Sequence, residues 1–227
     1  MKPFRAMAVS GMLGYGFTEE AFRRGLEMDL DLIACDAGSA DPGPYYLGNG
    51  SAFVSRMAVK RDLKIMVLGG LEAQIPVIIG SAGGSGSDIQ VDWTLDILKE
   101  ICSEHQLSPR VAIIRSEIHR DILKLKIQKG HTQPLGPIAP LTAETADETH
   151  RVVAMIGIEP FQAALDSGAD VIVAGRSSDA AIYAALPIHQ GWDPGLAWHM
   201  GKIIECGAQV IEPREGQDCV IGTLYKD

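Results

Sequence analysis

From residue 76 to residue 93 the chain reads PVIIGSAGGSGSDIQVDW, a β-branched run that passes through a glycine- and serine-rich stretch into a helical pattern. No other feature constrains the fold as tightly. Val77, Ile78 and Ile79 are apolar without alternation, as expected of a strand covered on both faces by helices. Gly80, Gly83, Gly84 and Gly86 allow positive φ angles and close backbone approach, while Ser81, Ser85 and Ser87 add hydroxyl donors. Asp88 is expected to cap a helix whose apolar positions Val91, Leu95, Leu98, Ile101 and Cys102 recur at helical spacing. Free N–H groups at such a helix start attract anions. The loop has no lysine of the G-x-x-x-x-G-K-[ST] type and does not spell G-x-G-x-x-G, so neither a nucleotide triphosphatase nor a dinucleotide-binding fold is signalled.

The same punctuation recurs along the chain. Short strands are expected over residues 6–10, 31–35, 111–114, 170–174 and 219–224. Between them, helical patterns cover residues 18–28 with Thr18 as N-cap, 51–71, 119–129, 144–151, 159–166 and 195–206, and a further helix starts near Asp179, its expected N-cap. The DAGSADPGPYYLG stretch after residue 35 is too polar and too broken by Gly and Pro to form an element, residues 130–140 read as a connecting loop, and residues 152–156 stay open between strand and helix. Strands alternating with helices imply a three-layer α/β fold: a mostly parallel sheet with helices on both faces, Rossmann-like but without the dinucleotide fingerprint. Ligands of such sheets sit beyond the carboxyl ends of the strands. Four loops stand in that position, GMLGYG, DAGSADPG, GSAGGSGSD and GRSSD.

With 227 residues, of which 46% are hydrophobic, the chain is long enough for one α/β domain over residues 1–227. Its net charge of -9 argues against a nucleic-acid or anionic-membrane partner, both of which demand a basic surface, while a small metabolite fits because local sites can be positive on an acidic protein. Cys35, Cys102, Cys206 and Cys219 form no C-x-x-C pair, which fits reduced thiols in the cytoplasm better than a disulfide framework or a zinc site. No signal-peptide core or membrane-length apolar run is present. Among the four loops, Asp36 and Asp41 flank a tight turn in which two carboxylates would bind a metal, take a proton or hold substrate hydroxyls; the competing reading is that they and Ser39 bond their own backbone. Asp36, directly after its strand, is the better functional candidate. Arg176 follows the strand ending at residue 174 and would clamp a carboxylate or phosphate, with Ser177 beside it, unless it only pairs with Asp179 to pin the loop. On the last helix His199, Lys202 and Cys206 share an arc beside an apolar face of Leu196, Met200, Ile203 and Ile204; His199 reads equally as an acid–base group and as a structural histidine. Glu117 is either a base or, with Ser116, an organiser of the next helix's first turn. No H-E-x-x-H, G-x-S-x-G or Cys/His cluster appears, so no metal ligand set is assigned.

Taken together, CDAGSADPGPYYLG, GSAGGSGSDIQVDWTLDIL, GIEPFQAALDSGADVIVAGRSSDAAIYAA and GLAWHMGKIIECGA resemble the acyclic terpene utilisation (AtuA-like) family, bacterial α/β proteins once described as a domain of unknown function. The resemblance runs over nearly the whole chain in the right order. It implies a catabolic role near enzymes of branched acyl-CoA or organic acids, and its motifs fall on Asp36, Gly38, Asp41, Pro42, Gly80, Gly83, Gly84, Gly175, Arg176, Asp179, His199, Lys202 and Glu205. GMLGYGFT and Ser178 depart from the pattern. Family chains usually continue further, often into a small ferredoxin-like domain, so the resemblance implies an N-terminal portion whose remainder is missing or carried by another chain in a hetero-oligomer.

The expectation that follows is a cytoplasmic enzyme or enzyme subunit acting on a small carboxylate or acyl-CoA-type substrate, a hydratase or lyase working by proton abstraction. Its candidate catalytic groups are Asp36, His199 and Glu117. Ser39, Asp41, Gly80, Ser81, Gly83, Gly84, Ser85, Arg176, Ser177, Asp179 and Lys202 are the candidates for holding the anion, and the cofactor is unknown. The alternatives are a non-catalytic binding subunit and a truncated member with an incomplete site.

Overall fold

The computed structural model describes residues 2–213 and 216–226. In chain order its elements are β1 (Phe4–Ala8), α1 (Glu19–Leu26), β2 (Leu32–Asp36), α2 (Tyr45–Asn49), α3 (Arg56–Ala73), β3 (Val77–Gly80), α4 (Asp88–His105), β4 (Val111–Ile114), α5 (Arg120–Gln128), α6 (Ala143–Glu148), α7 (Glu159–Asp166), β5 (Val171–Ala174), α8 (Ala181–His189), α9 (Pro194–Ile204) and β6 (Val220–Leu224). The six strands form one open sheet in the order β4-β5-β3-β2-β1-β6. All neighbours are parallel except β6, which runs antiparallel to β1 with Phe4 opposite Leu224. This is the expected three-layer α/β fold.

The two faces follow from alternation along each strand. Met7, Ile33, Cys35, Val77, Ile79, Val171 and Val173 point to one side and pack with Phe22 of α1, Leu63 and Met66 of α3 and Val91 and Leu98 of α4. Ala6, Leu32, Ala34, Ile78, Ile172 and Ala174 point to the other and meet Phe161 of α7, Ile182 and Tyr183 of α8 and Met200 of α9. The helices divide this way because the chain crosses the sheet from β1 to β4 and then turns back through β5 to β6. With crossovers of one hand, the outward and return helices must lie on opposite faces. Among the described residues no helix is long and apolar enough to cross a membrane.

Several local expectations need correction. The polar stretch after β2 does contain an element, since Tyr45–Asn49 closes one short helix ended by Gly50 at φ 70°. Ser87, not Asp88, caps α4: its N–H and hydroxyl both bond Gln90 Oε1, at 3.0 and 2.9 Å, which leaves Asp88 as the first helical residue. Asp179 is not a cap either, because α8 begins after Ala180, which has no side-chain cap, and Asp179 turns to an arginine instead. Residues 152–156 are neither helix nor a full strand. They run extended, with single bridges from Val153 to Glu117 and from Ile156 to Ser177. On α9 the buried stripe is Ala197, Met200, Gly201 and Ile204, so Leu196 and Ile203, expected in the core, are exposed. That stripe is the i, i+3, i+4, i+7 set counted from Ala197.

Candidate functional site

Loops at the carboxyl ends of β1, β2 and β5 meet the C-terminal part of α9 around a cavity of about 400 Å³. Tyr15 comes from the first loop, Asp36, Ser39 and Asp41 from the second, Arg176 and Asp179 from the third, and Lys202, Glu205, Cys206 and Gln209 from α9 and the turn after it. Strand β3 lies between β2 and β5, so its own loop is the floor on which the others rest.

Asp36 is the last residue of β2 and is 3% exposed. Its Oδ1 is buried without a hydrogen-bond partner, as is the Ser177 hydroxyl. Both stand over Gly80, where an added Cβ would lie 2.7 Å from Ser177 Oγ and 3.2 Å from Asp36 Oδ1. Burial, followed by the charge of Asp179, pushes the Asp36 carboxyl from its ordinary 3.8 up to about 8, against the opposing pull of Arg176, Ser81 and the Gly38 backbone. Near neutral pH this carboxyl therefore carries a proton and can act as donor or acceptor.

Arg176 is held from both sides. Its backbone N–H donates to Ser116 Oγ at 2.6 Å and to the Gly86 carbonyl at 3.3 Å, and an added Cβ on Gly86 would sit 2.0 Å from that nitrogen. Only glycine permits this approach. The guanidinium makes two long contacts, 3.4 Å to Ser81 Oγ and 3.4 Å to Asp179 Oδ1. The pinning role foreseen for the Arg176–Asp179 pair is thus present, in a guanidinium that also lines the cavity. Contacts of this length are readily replaced by a bidentate ligand carboxylate at ordinary distance. Lys202 pairs closely with Glu205, a largely buried carboxylate at 6% exposure, and that hydrogen bond raises the lysine's pKa.

The 80–88 loop backs the cavity without lining it. Six of its amides are spent internally: Ser81 on Gly175, Ala82 on Ala174, Gly84 on Ser81, Gly86 on Ala82, Ser87 on Gln90 and Asp88 on Glu117. Its carbonyls position the neighbours, with Gly84 O accepting from Ser39 N and Gly83 O from Phe53 N. Ser85 alone of the loop faces an adjoining cleft. Ser39 and Asp41 do line the cavity, and Ser39 Oγ accepts from Asp41 N at 3.1 Å, so the turn bonds its own backbone as well.

Two of the three catalytic candidates are not brought to the cavity. His199 is exposed; it shares the arc of Lys202 and Cys206 but lies one to two helical turns earlier, short of the strand ends. Glu117 accepts from Asp88 N at 2.8 Å and pairs with Arg151 at 3.1 Å. Together with Ser116, whose hydroxyl donates to Gly86 O, it organises the start of α4 and the β5 loop, not the helix that follows it.

Sequence reasoning also missed residues. Asp62 is fully buried on α3, where its Oδ2 accepts from Gly14 N at 2.8 Å and Gly16 N at 3.0 Å and so holds the loop that presents Tyr15. A carboxylate on the Val59, Leu63, Met66 stripe was the available signal. Gln90 is likewise buried and ties α4 to the Ser51 carbonyl at 2.8 Å, but a lone glutamine on a helix carries no such signal. Glu205 surfaced only through the family motif. Among the described residues, no group of three or more His, Cys, Asp or Glu side chains could hold a metal ion.

In comparisons with known proteins, a family model described as acyclic terpene utilisation family protein AtuA matches residues 59–215. The match takes in Arg176, Asp179, Lys202 and Glu205 and begins after the loop of Asp36. No curated protein and no solved structure matches the chain.

Proposed function

This chain belongs to the acyclic terpene utilisation family, and from that premise we propose that it is a catabolic lyase that eliminates or adds water on a small carboxylate or an acyl-CoA-type substrate. Family membership by itself suggests a role in terpene catabolism. The observation that carries the finer reading is the carboxyl of Asp36, buried at the rim of a polar cavity with its Oδ1 unpartnered, a burial that pushes its pKa up to about 8.

In this reading the substrate carboxylate replaces the two long contacts of Arg176. Asp36, in its ionised form, takes a proton from the carbon next to the activated carboxyl or thioester. The carbon–oxygen bond to the neighbouring hydroxyl then breaks, and Asp36 hands the proton to the departing oxygen, so that water leaves, a carbon–carbon double bond forms and the carboxylate is regenerated. A carboxyl with a pKa near the working pH suits both halves of such a step. Four free cysteines fit a reducing compartment, and the reading includes a cytoplasmic setting.

The test is turnover of β-hydroxy acids and their coenzyme A thioesters. Asp36→Asn is expected to lower kcat by about 10²–10⁴-fold with binding retained, and Arg176→Ala to weaken binding. In the native protein kcat/KM should rise with pH to an inflection near 8. Unchanged turnover in both variants would overturn the assignment, and binding without turnover would make the chain a substrate-binding subunit.

A further inference from the structure

Beside the Asp36 cavity lies a second recess of about 400 Å³ with a different character. It shares Ser39, Ala40 and Arg176 with the polar cavity, and the rest of its wall is formed mainly by Pro44, Leu47, Val153 and Met155. The apolar lining has a local cause. Residues 152–156 are extended, with bridges at Val153 and Ile156, so side chains alternate. Ile156 turns inward and packs on the core, whereas Val153 and Met155 share the opposite side and face the recess. Met155 is left 64% exposed, a large flexible apolar side chain beside a charged guanidinium. Leu47 reaches the same recess from α2.

Resting on the reading that the Asp36 cavity holds a carboxylate, we propose that the recess is the subsite for an aliphatic chain, so that the ligand is a fatty acyl group of medium length, polar end at Arg176 and tail along Leu47, Val153 and Met155. The wall that the two spaces share, Ser39, Ala40 and Arg176, carries this assignment. A ligand that is polar throughout leaves the Leu47–Met155 wall in water, and one that is apolar throughout covers the guanidinium while leaving it only its two 3.4 Å contacts to Ser81 and Asp179, a loss that a charged or hydrogen-bonding end avoids. Methionine suits a wall that must adapt to chains of different shape.

Calorimetric titration of the full chain with acetate, butanoate, hexanoate and octanoate tests it, since saturated acids bind without being turned over. Affinity is expected to rise from butanoate to octanoate by up to about fourfold per methylene, with an increasingly negative heat-capacity change. Met155→Gln, a neutral change at an exposed position, should remove most of that gain and leave acetate binding as it was, and Leu47→Asn should do the same. Equal affinity for all four acids, or a chain-length gain that survives both substitutions, overturns the subsite while leaving the carboxylate reading intact. If none of the acids binds, or all bind equally well to Arg176→Ala, the carboxylate reading fails and the subsite falls with it.

Discussion

Asp36 links the site to the stability of the molecule. A carboxyl raised from 3.8 to about 8 on folding binds its proton more tightly in the native state than in the unfolded one. Its contribution is therefore full below about pH 4, declines as pH rises through the interval, and is gone above about pH 8. Within that window the native protein should lose up to ~1.4 kcal/mol per pH unit on this account, and Asp36→Asn should flatten the profile. Urea unfolding of both proteins at pH 5, 7 and 9 measures the difference; parallel profiles would mean that the group is not raised. The position of Asp36 was legible, because a carboxylate directly after a buried strand lands at the ligand edge of the sheet. Its protonation was not. That depends on Asp179, far along the chain, and on burial that only the assembled loops create.

At the scale of elements, the apolar runs and helical periods identified every strand and most helices, and the misses share a cause. Where a side chain's role is to serve a neighbouring segment, the local pattern gives the wrong partner. Glu117 serves Asp88 N and Arg151, 29 and 34 residues away, where the chain alone suggested a base or the next helix's first turn. Asp62 is the clearest case, an acidic residue on the buried side of α3 that holds two amides of the β1–α1 loop. Asp62→Ala strands both amides and should cost roughly 2–4 kcal/mol. It should also loosen residues 11–16, read as faster amide exchange there and weaker ligand binding through the displaced Tyr15. Unchanged exchange in that loop would show that Asp62 is not its anchor.

For the molecule as a whole, the alternation of strand and helix was enough to establish a covered parallel sheet, because parallel neighbours demand crossovers. Strand order was beyond it. The insertion of β5 between β3 and β4, and the reversal of β6 against β1, arise from which faces the later helices cover. The antiparallel pairing has a consequence for chain architecture. Phe4 lies opposite Leu224 at the amino end of β1, so both ends of the folded chain emerge together on the edge of the sheet remote from the carboxyl-end cavity. The backbone is thus nearly a ring. A circularly permuted protein, joined from residue 226 to residue 2 by a short Gly-Ser linker and reopened in the exposed 130–141 connection, should fold to the same cooperative transition and bind the same ligands. Loss of cooperative unfolding in the permutant would show that chain order, and not only adjacency of the ends, is needed. Fusions at either end, for the same reason, should leave the cavity mouth open.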